Sequence, residues 1–135
     1  PAFAGAEHDW SAIELGAWLA GSWGVPLQIA GPAVEGGRDS SRLLASASIA
    51  VQRALGVAAE PLLLEAGPTA LADASGEAAI AVVGLSDRWR QDGLGPTRGA
   101  LVGTGRPVLL VRKGRRPGGL APPENLTRFT WSILG

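Results

Sequence analysis

The chain contains no cysteine and no methionine, and it has a single histidine, His8. The absence of cysteine excludes disulfides, thiolate metal sites and cysteine nucleophiles. With one histidine, a histidine-rich metal cluster or a serine–histidine relay is hard to assemble. We therefore expect no metal site and no catalytic residue, and we favour a protein that is not an enzyme.

Long apolar runs are also absent. No stretch approaches the roughly 18 uninterrupted apolar residues of a membrane span, and the N-terminus lacks the charged-then-apolar order of a signal peptide. We therefore expect a cytoplasmic location, with no insertion of this segment into a membrane. Because the chain begins at Pro1 and contains no initiator methionine, we also expect a longer parent protein with further domains attached.

Net charge is zero, since 12 basic and 12 acidic side chains cancel. Only 18% of the residues are charged and 46% are hydrophobic, which excludes a disordered polyelectrolyte or a protein that coats nucleic acid. A basic group near residues 112–116 has no aromatic stacking platform beside it, so we expect no nucleic-acid partner. A length of 135 residues fits one domain.

What is present is an alternation of short apolar stretches with longer stretches that have apolar residues at helical spacing. The short stretches predict strands at residues 2–4, 25–30, 60–65, 78–83 and 107–111. Helices are predicted up to residue 23 and at 40–55, 69–74 and 96–102, the first starting near Asp9 to Ser11 because Ser11 and Glu14 have capping-box spacing. Strands apolar on both faces that alternate with helices predict an α/β fold, a doubly wound parallel sheet with helices on both faces.

The C-terminal part has a different composition. Residues 112–124 are rich in Arg, Gly and Pro and are typical of a linker, after which Phe129, Trp131 and Ile133 alternate with polar residues and predict an extra strand. Left in water, these three side chains would forgo roughly 1.5 to 3 kcal/mol each. We therefore divide the chain into a domain at 1–112 and a linker with a strand at 113–135, and expect that strand to dock, preferably on a second copy.

Three pieces of sequence stand out, in this order: residues 3–10 (FAGAEHDW), residues 67–84 ending in IAVVG, and residues 106–111 (RPVLLV). They resemble three pieces of the universal stress protein family: its Asp-Gly-Ser-Glu turn at a strand end, its strand before the phosphate loop, and its final Pro-Val-Leu-Val-Val strand. The resemblance implies a five-stranded parallel sheet in the order 3-2-1-4-5 and homodimers in many members, with the last strand at the interface. It also implies ATP binding in one branch of the family and none in another.

In such a sheet a small ligand would lie in the crevice at the carboxyl ends of the first and fourth strands, where the strand order reverses. Residues 5–9 and 85–95 flank this crevice. Glycines there let backbone amides approach a phosphate, and a helix N-terminus adds a partial positive charge. The candidate nucleotide-binding residues are Gly5, Gly84, Gly93, Gly95, Thr97 and Arg88.

The sequence departs from the family's ATP-binding pattern at the informative positions. Counted from Gly84, Asp87 stands where the second glycine is expected, and its carboxylate would repel phosphate. Pro96 offers neither a hydroxyl nor an amide hydrogen. Ala4 stands where the family has the aspartate that contacts the nucleoside. We therefore expect no cofactor, with ATP as the ligand to test.

Charge is uneven along the chain: residues 1–85 carry three basic and nine acidic side chains, and residues 86–116 carry eight basic and two acidic ones. This pattern is typical either of an anion site around Arg88, Arg90 and Arg98 or of complementary charged surfaces. We favour the surfaces, because acidic residues interrupt the loop that holds the arginines.

Two other groups have both a functional and a structural interpretation. Residues 7–9 (Glu-His-Asp) are the only group that resembles acid–base chemistry, although capping a helix is the simpler role for Asp9. Trp89, an indole in a polar loop, is a candidate crevice lid or partner contact.

The sequence thus predicts a non-catalytic, universal-stress-like dimerisation or regulatory module of a larger protein, without ATP binding. The alternative is an adenine-nucleotide sensor domain that regulates an attached transporter or kinase.

Overall fold

The computed structural model describes residues 6–32, 38–65 and 67–114. Helices and strands alternate along these residues, as the sequence predicts. In chain order they are α1 (Glu7–Trp23), β1 (Leu27–Pro32), α2 (Arg38–Leu55), β2 (Ala59–Leu64), α3 (Ala70–Ala74), β3 (Ala81–Leu85), α4 (Trp89–Asp92), α5 (Gly95–Gly103) and β4 (Val108–Arg112).

The four described strands form two parallel pairs. β1 lies beside β2, with Leu27 opposite Ala59, and β3 lies beside β4, with Ala81 opposite Val108. Parallel neighbours connected through helices confirm the predicted α/β class. The two pairs correspond to the second and third and to the fourth and fifth predicted strands. The first predicted strand, at residues 2–4, lies outside the described residues.

Helices cover the strands on two sides, and each side has its own apolar cluster. The cluster under α1 and α2 contains Trp10, Ile13, Ala17, Ala20, Leu27, Ile29, Leu44, Ala47 and Val51. The cluster under α3 and α5 contains Ala30, Leu71, Ala72, Val83 and Leu101. Consecutive β1 residues belong to different clusters because side chains alternate across a strand. Since Ala30 of β1 and Val83 of β3 share a cluster, the two strand pairs share one core.

The first helix begins earlier than predicted. α1 starts at Glu7 with Ala6 as its N-cap, and Ser11 lies inside it, with its hydroxyl 3.4 Å from the Glu7 carbonyl oxygen. The Ala6 amide donates to Oδ2 of Asp9 at 3.2 Å. The prediction of a start at a Ser11 capping box is therefore wrong, because Asp9 already supplies the carboxylate three residues after the cap.

The second and fourth predicted strands are shifted toward the C-terminus. β1 begins at residue 27 rather than 25, because the Val25 amide still donates to the Ala20 carbonyl and closes α1. β3 begins at residue 81 rather than 78, because the Ala78 amide turns back to the Ser75 carbonyl. Gly84, predicted to open the phosphate loop, consequently lies inside β3.

The loop after β3 contains α4, a short helix that the sequence did not predict. The predicted extra strand at 128–133 lies outside the described residues, as do Gly5 and most of the linker. Among the described helices, none has the length and apolar character needed to cross a membrane.

Candidate functional site

The carboxyl end of β3 and the first turn of α1 are in direct contact. Gly84 is buried, and a Cβ placed on it would lie 2.6 Å from the carbonyl oxygen of His8 and 2.7 Å from its carbonyl carbon. Only glycine fits at this separation, because backbone atoms cannot rotate away from a side chain. Gly84 therefore allows the amino end of α1 to lie on β3. This contact lies near the carboxyl end of β3, where the sequence predicts the crevice, and we call this place the crevice.

Arg98 of α5 reaches the same point and is half-buried. Its Nε donates a hydrogen bond to the carbonyl oxygen of Gly84 at 2.6 Å. One terminal nitrogen lies 3.5 Å from the Leu94 carbonyl oxygen, and the other lies 3.5 Å from Nε2 of His8. Because a charged donor makes a stronger hydrogen bond than a neutral one, Arg98 links α5, β3 and α1 at the crevice.

His8 faces two charged groups. Its Nε2 lies 3.6 Å from Oδ1 of Asp9 and 3.5 Å from a terminal nitrogen of Arg98. The Asp9 side chain is only 8% exposed, and its second oxygen accepts the Ala6 amide. The structure thus brings together two members of the predicted acid–base group. The partners of the His8 ring within the described ranges are thus a carboxylate and a guanidinium.

The third member of that group, Glu7, lies at the rim of the crevice. Its Oε2 is 2.5 Å from Nζ of Lys113, which follows β4, and both side chains are partly exposed. The hydrogen bond to Glu7 raises the pKa of Lys113 above its ordinary value, against a smaller lowering by desolvation, and the charges of Glu7 and Asp87 raise it further. Asp87 therefore lies near enough to act on a cation at this rim.

The arginines in the loop after β3 make contacts within α4 and its cap. Nε of Arg88 lies 3.8 Å from Oδ2 of Asp92, one helical turn later. The guanidinium carbon of Arg90 lies 5.5 Å from the centre of the Trp89 ring, a cation–π distance. Arg88 and Arg90 therefore contact different groups from those that Arg98 contacts. This arrangement favours the interpretation of the basic segment as a charged surface, and the role of Trp89 as a lid or partner contact stays a prediction.

Gly93 and Gly95 have a simple backbone explanation. Their φ angles are 73° and 79°, in the region that favours glycine, and they lie after α4 and at the start of α5. No atom lies within 4 Å of a Cβ built on either residue. Thr97 is exposed in the first turn of α5, and Pro96 precedes it without an amide hydrogen. A nucleotide-binding role for these residues and for Gly5 stays a prediction.

Arg98 belongs to the anion site that the sequence analysis considered, but not to the candidate nucleotide-binding residues. The sequence indicated its positive charge, but its contacts depend on how α5 packs against β3. The available signal was its position three residues after Gly95, in the first turn of a helix that begins at the crevice.

Among residues 6–32, 38–65 and 67–114, no group of three or more His, Cys, Asp or Glu side chains is arranged to hold a metal ion.

Comparison with known proteins shows the fold. No protein-family model matches the chain, and no curated protein does. A universal stress protein from Archaeoglobus fulgidus is 19% identical, with a TM-score of 0.67 over 82% of this chain and 94% of that one. A protein of the universal stress protein family from Burkholderia pseudomallei is 21% identical, with a TM-score of 0.63 over 81% of this chain and 90% of that one. The chain therefore has the fold of universal stress proteins, which confirms the resemblance at the level of the fold.

Proposed function

We propose that this universal-stress-like domain is a non-catalytic dimerisation or regulatory module that does not bind ATP. The observation that carries the proposal is the Arg98 side chain, which donates to the Gly84 carbonyl at 2.6 Å and reaches His8 across the crevice. The cation best placed to hold a phosphate is thus already bonded to the chain itself.

Two further features oppose a bound nucleotide. The first turn of α1 lies directly on Gly84, which leaves no space between β3 and the helix at that point. Asp87, two residues after β3, carries an exposed carboxylate whose negative charge contributes to the raised pKa of Lys113. Phosphates would meet this negative charge and would have to displace Arg98 from a charge-assisted hydrogen bond. Both effects favour a crevice without a ligand.

The absence of catalysis is supported by the contacts of His8. A general base needs a proton to abstract within hydrogen-bond reach, and a nucleophile is commonly paired with that base. His8 instead lies between Asp9 and Arg98 in the described structure. These contacts fix the start of α1, which is a structural role.

We also propose that residues 2–4 form a central strand between β1 and β3, which completes the order 3-2-1-4-5. The support is that α1 begins beside Gly84, with Ala6 as its N-cap, near the carboxyl end of β3. The core shared by the two strand pairs is consistent with one sheet.

Titration calorimetry with ATP and Mg²⁺ tests the proposal. We expect no saturable heat, and no rise in the melting temperature at millimolar ATP, because a ligand well below its dissociation constant adds almost no stability. Saturable binding would overturn the proposal and favour the adenine-nucleotide sensor. In that case Asp87→Gly should tighten binding by removing a carboxylate, whereas the control Glu77→Gly, an exposed position before the amino end of β3, should leave it unchanged.

Sedimentation of the full chain at micromolar concentration tests the dimer. A species with the mass of two chains is expected, and a monomer across the whole concentration series would contradict this part of the proposal.

A further inference from the structure

One edge of β4 has no partner among the described strands. β4 pairs with β3 along one side only. The Ala81 amide donates to the Pro107 carbonyl, so the backbone groups of residue 107, and of every second residue after it, point toward β3. The backbone N–H and C=O groups of Val108, Leu110 and Arg112 therefore point to the edge of β4 that faces away from β3. An edge of this kind is a template for another strand.

Exposed apolar side chains accompany this free edge. Leu110 of β4 is 40% exposed and Val102 of α5 is 44% exposed. Val108 packs against the cluster that contains Leu101, and Leu110 has the same strand parity, so it lies on the α5 face of the sheet. Val102 follows the buried Leu101 by one helical position, about 100° round the helix, and therefore lies on its flank. We call Val102, Leu110 and the free edge of β4 the edge surface.

Residues 128–133 have the pattern that would complement this surface. Phe129, Trp131 and Ile133 alternate with Arg128, Thr130 and Ser132, which predicts a strand with one apolar face. A strand added to β4 with its apolar face toward α5 would cover Val102 and Leu110. Its polar residues would lie on the other face. The backbone of the added strand would also form hydrogen bonds with the free N–H and C=O groups along the edge of β4.

The connection to these residues is long enough to reach a second copy. Residues 115–127 include Pro117, Pro122 and Pro123, and an extended proline-rich chain spans about 3.1 Å per residue. A connection of this length can reach the free edge of its own chain or that of a second copy. Exchange between two copies related by a two-fold axis would pair both free edges and both tails.

We infer that residues 128–133 of one copy add as a strand to the edge surface of a second copy, and reciprocally. This inference rests on the proposed dimerisation and names the contact that forms the dimer. Deleting residues 117–135 should then convert the dimer into a monomer or an aggregate, and circular dichroism of the truncated chain reports whether it stays folded. A folded, unchanged dimer after the deletion would overturn the inference.

Engineered disulfides give the sharper test, since the natural chain has no cysteine. Neighbouring strands lie about 4.7 to 4.9 Å apart, so the Cα atoms of residues opposite each other on two paired strands are within disulfide range. The Thr130→Cys variant and the Ser132→Cys variant are each mixed with the Val111→Cys variant. The side chain of residue 111 lies on the face of the sheet opposite α5, as the polar residues of the added strand would. The control replaces Val111→Cys by Ser46→Cys, an exposed position on α2.

The expected result is a disulfide-linked heterodimer from at least one mixture, several-fold above the Ser46→Cys control. Double variants that carry both cysteines in one chain distinguish the alternatives. Linked dimers support exchange, whereas an internal disulfide at monomer mass means docking within one chain and overturns it. No cross-link above the control in any pair also overturns it. If the full chain nevertheless sediments as a dimer, the proposed dimerisation survives and only the contact named here is wrong.

Discussion

Replacing Gly84 by alanine perturbs the closest contact in the site, that between β3 and α1. The added carbon would lie 2.6, 2.7 and 2.8 Å from three atoms of His8, two of which belong to the backbone. Carbon atoms in favourable contact are about 3.5 to 4.0 Å apart, so α1 must move by most of an ångström or the strand must bend.

Overpacking a core typically costs about 1 to 3 kcal/mol. The upper part of that range applies here, because the opposing atoms are backbone and cannot adopt another rotamer. We therefore expect Gly84→Ala to lower the free energy of unfolding by about 2 to 3 kcal/mol. At this chain length 1 kcal/mol corresponds to about 4 °C, so the melting temperature should fall by about 8 to 12 °C.

Urea and thermal unfolding followed by circular dichroism measure the change, and Gly99→Ala is the matched control. Gly99 lies within α5, is exposed, and has no atom within 4 Å of a built Cβ. Alanine there should stabilise the helix by about 0.5 to 1 kcal/mol. If Gly84→Ala were as stable as the natural chain, the close contact and the crevice geometry derived from it would be refuted.

Two further predictions concern contacts around the core and the rim. Arg106→Gln should lower the free energy of unfolding by about 1 to 2 kcal/mol in urea, because a terminal nitrogen of Arg106 donates to a carbonyl in α3 at 2.7 Å. Arg90→Gln, an exposed control, should stay within about 0.5 kcal/mol of the natural chain, and equal effects of the two would contradict the assignment. Because Glu7 raises the pKa of Lys113 in the folded state, the stabilisation from this pair is present below pH 10.5 and is lost as the pH rises through the raised pKa. At pH 9 the natural chain should therefore have a higher melting temperature than Glu7→Gln, and above the raised pKa of Lys113 the two melting temperatures should be equal. A difference in melting temperature that persists at high pH would show that the ion pair does not cause it.

The order of elements could be predicted from the sequence, because apolar periodicity and glycine breaks are local. α2 and α5 begin and end within two residues of their predicted bounds. The start of β3 could not be predicted, since residues 78–80 (Ala-Ala-Ile) are as apolar as the strand they precede and only the turn to Ser75 excludes them. The start of α1 was predicted too late in the chain, because Ser11 with Glu14 and Ala6 with Asp9 both have the three-residue spacing of a capping box.

The site was less predictable than the fold. The position of Gly84 near the carboxyl end of a strand followed from a motif that is visible along the chain. The bond from Arg98 to β3 joins residues 14 positions apart through the packing of a helix, and no local pattern specifies it. The same holds for the contact between Lys113 and Glu7, which are 106 positions apart.

We propose that Arg98 already occupies the crevice through its hydrogen bond to the Gly84 carbonyl, and that ATP does not displace it. The most direct measurement is the NMR resonance of the Arg98 Nε–H group in the ¹⁵N-labelled full chain, assigned by its loss in Arg98→Lys. Because this proton is donated to the Gly84 carbonyl at 2.6 Å, its chemical shift reports that bond. We expect an unchanged resonance when ATP and Mg²⁺ are added to millimolar concentration, and a saturable shift or a loss of the resonance would refute the proposal.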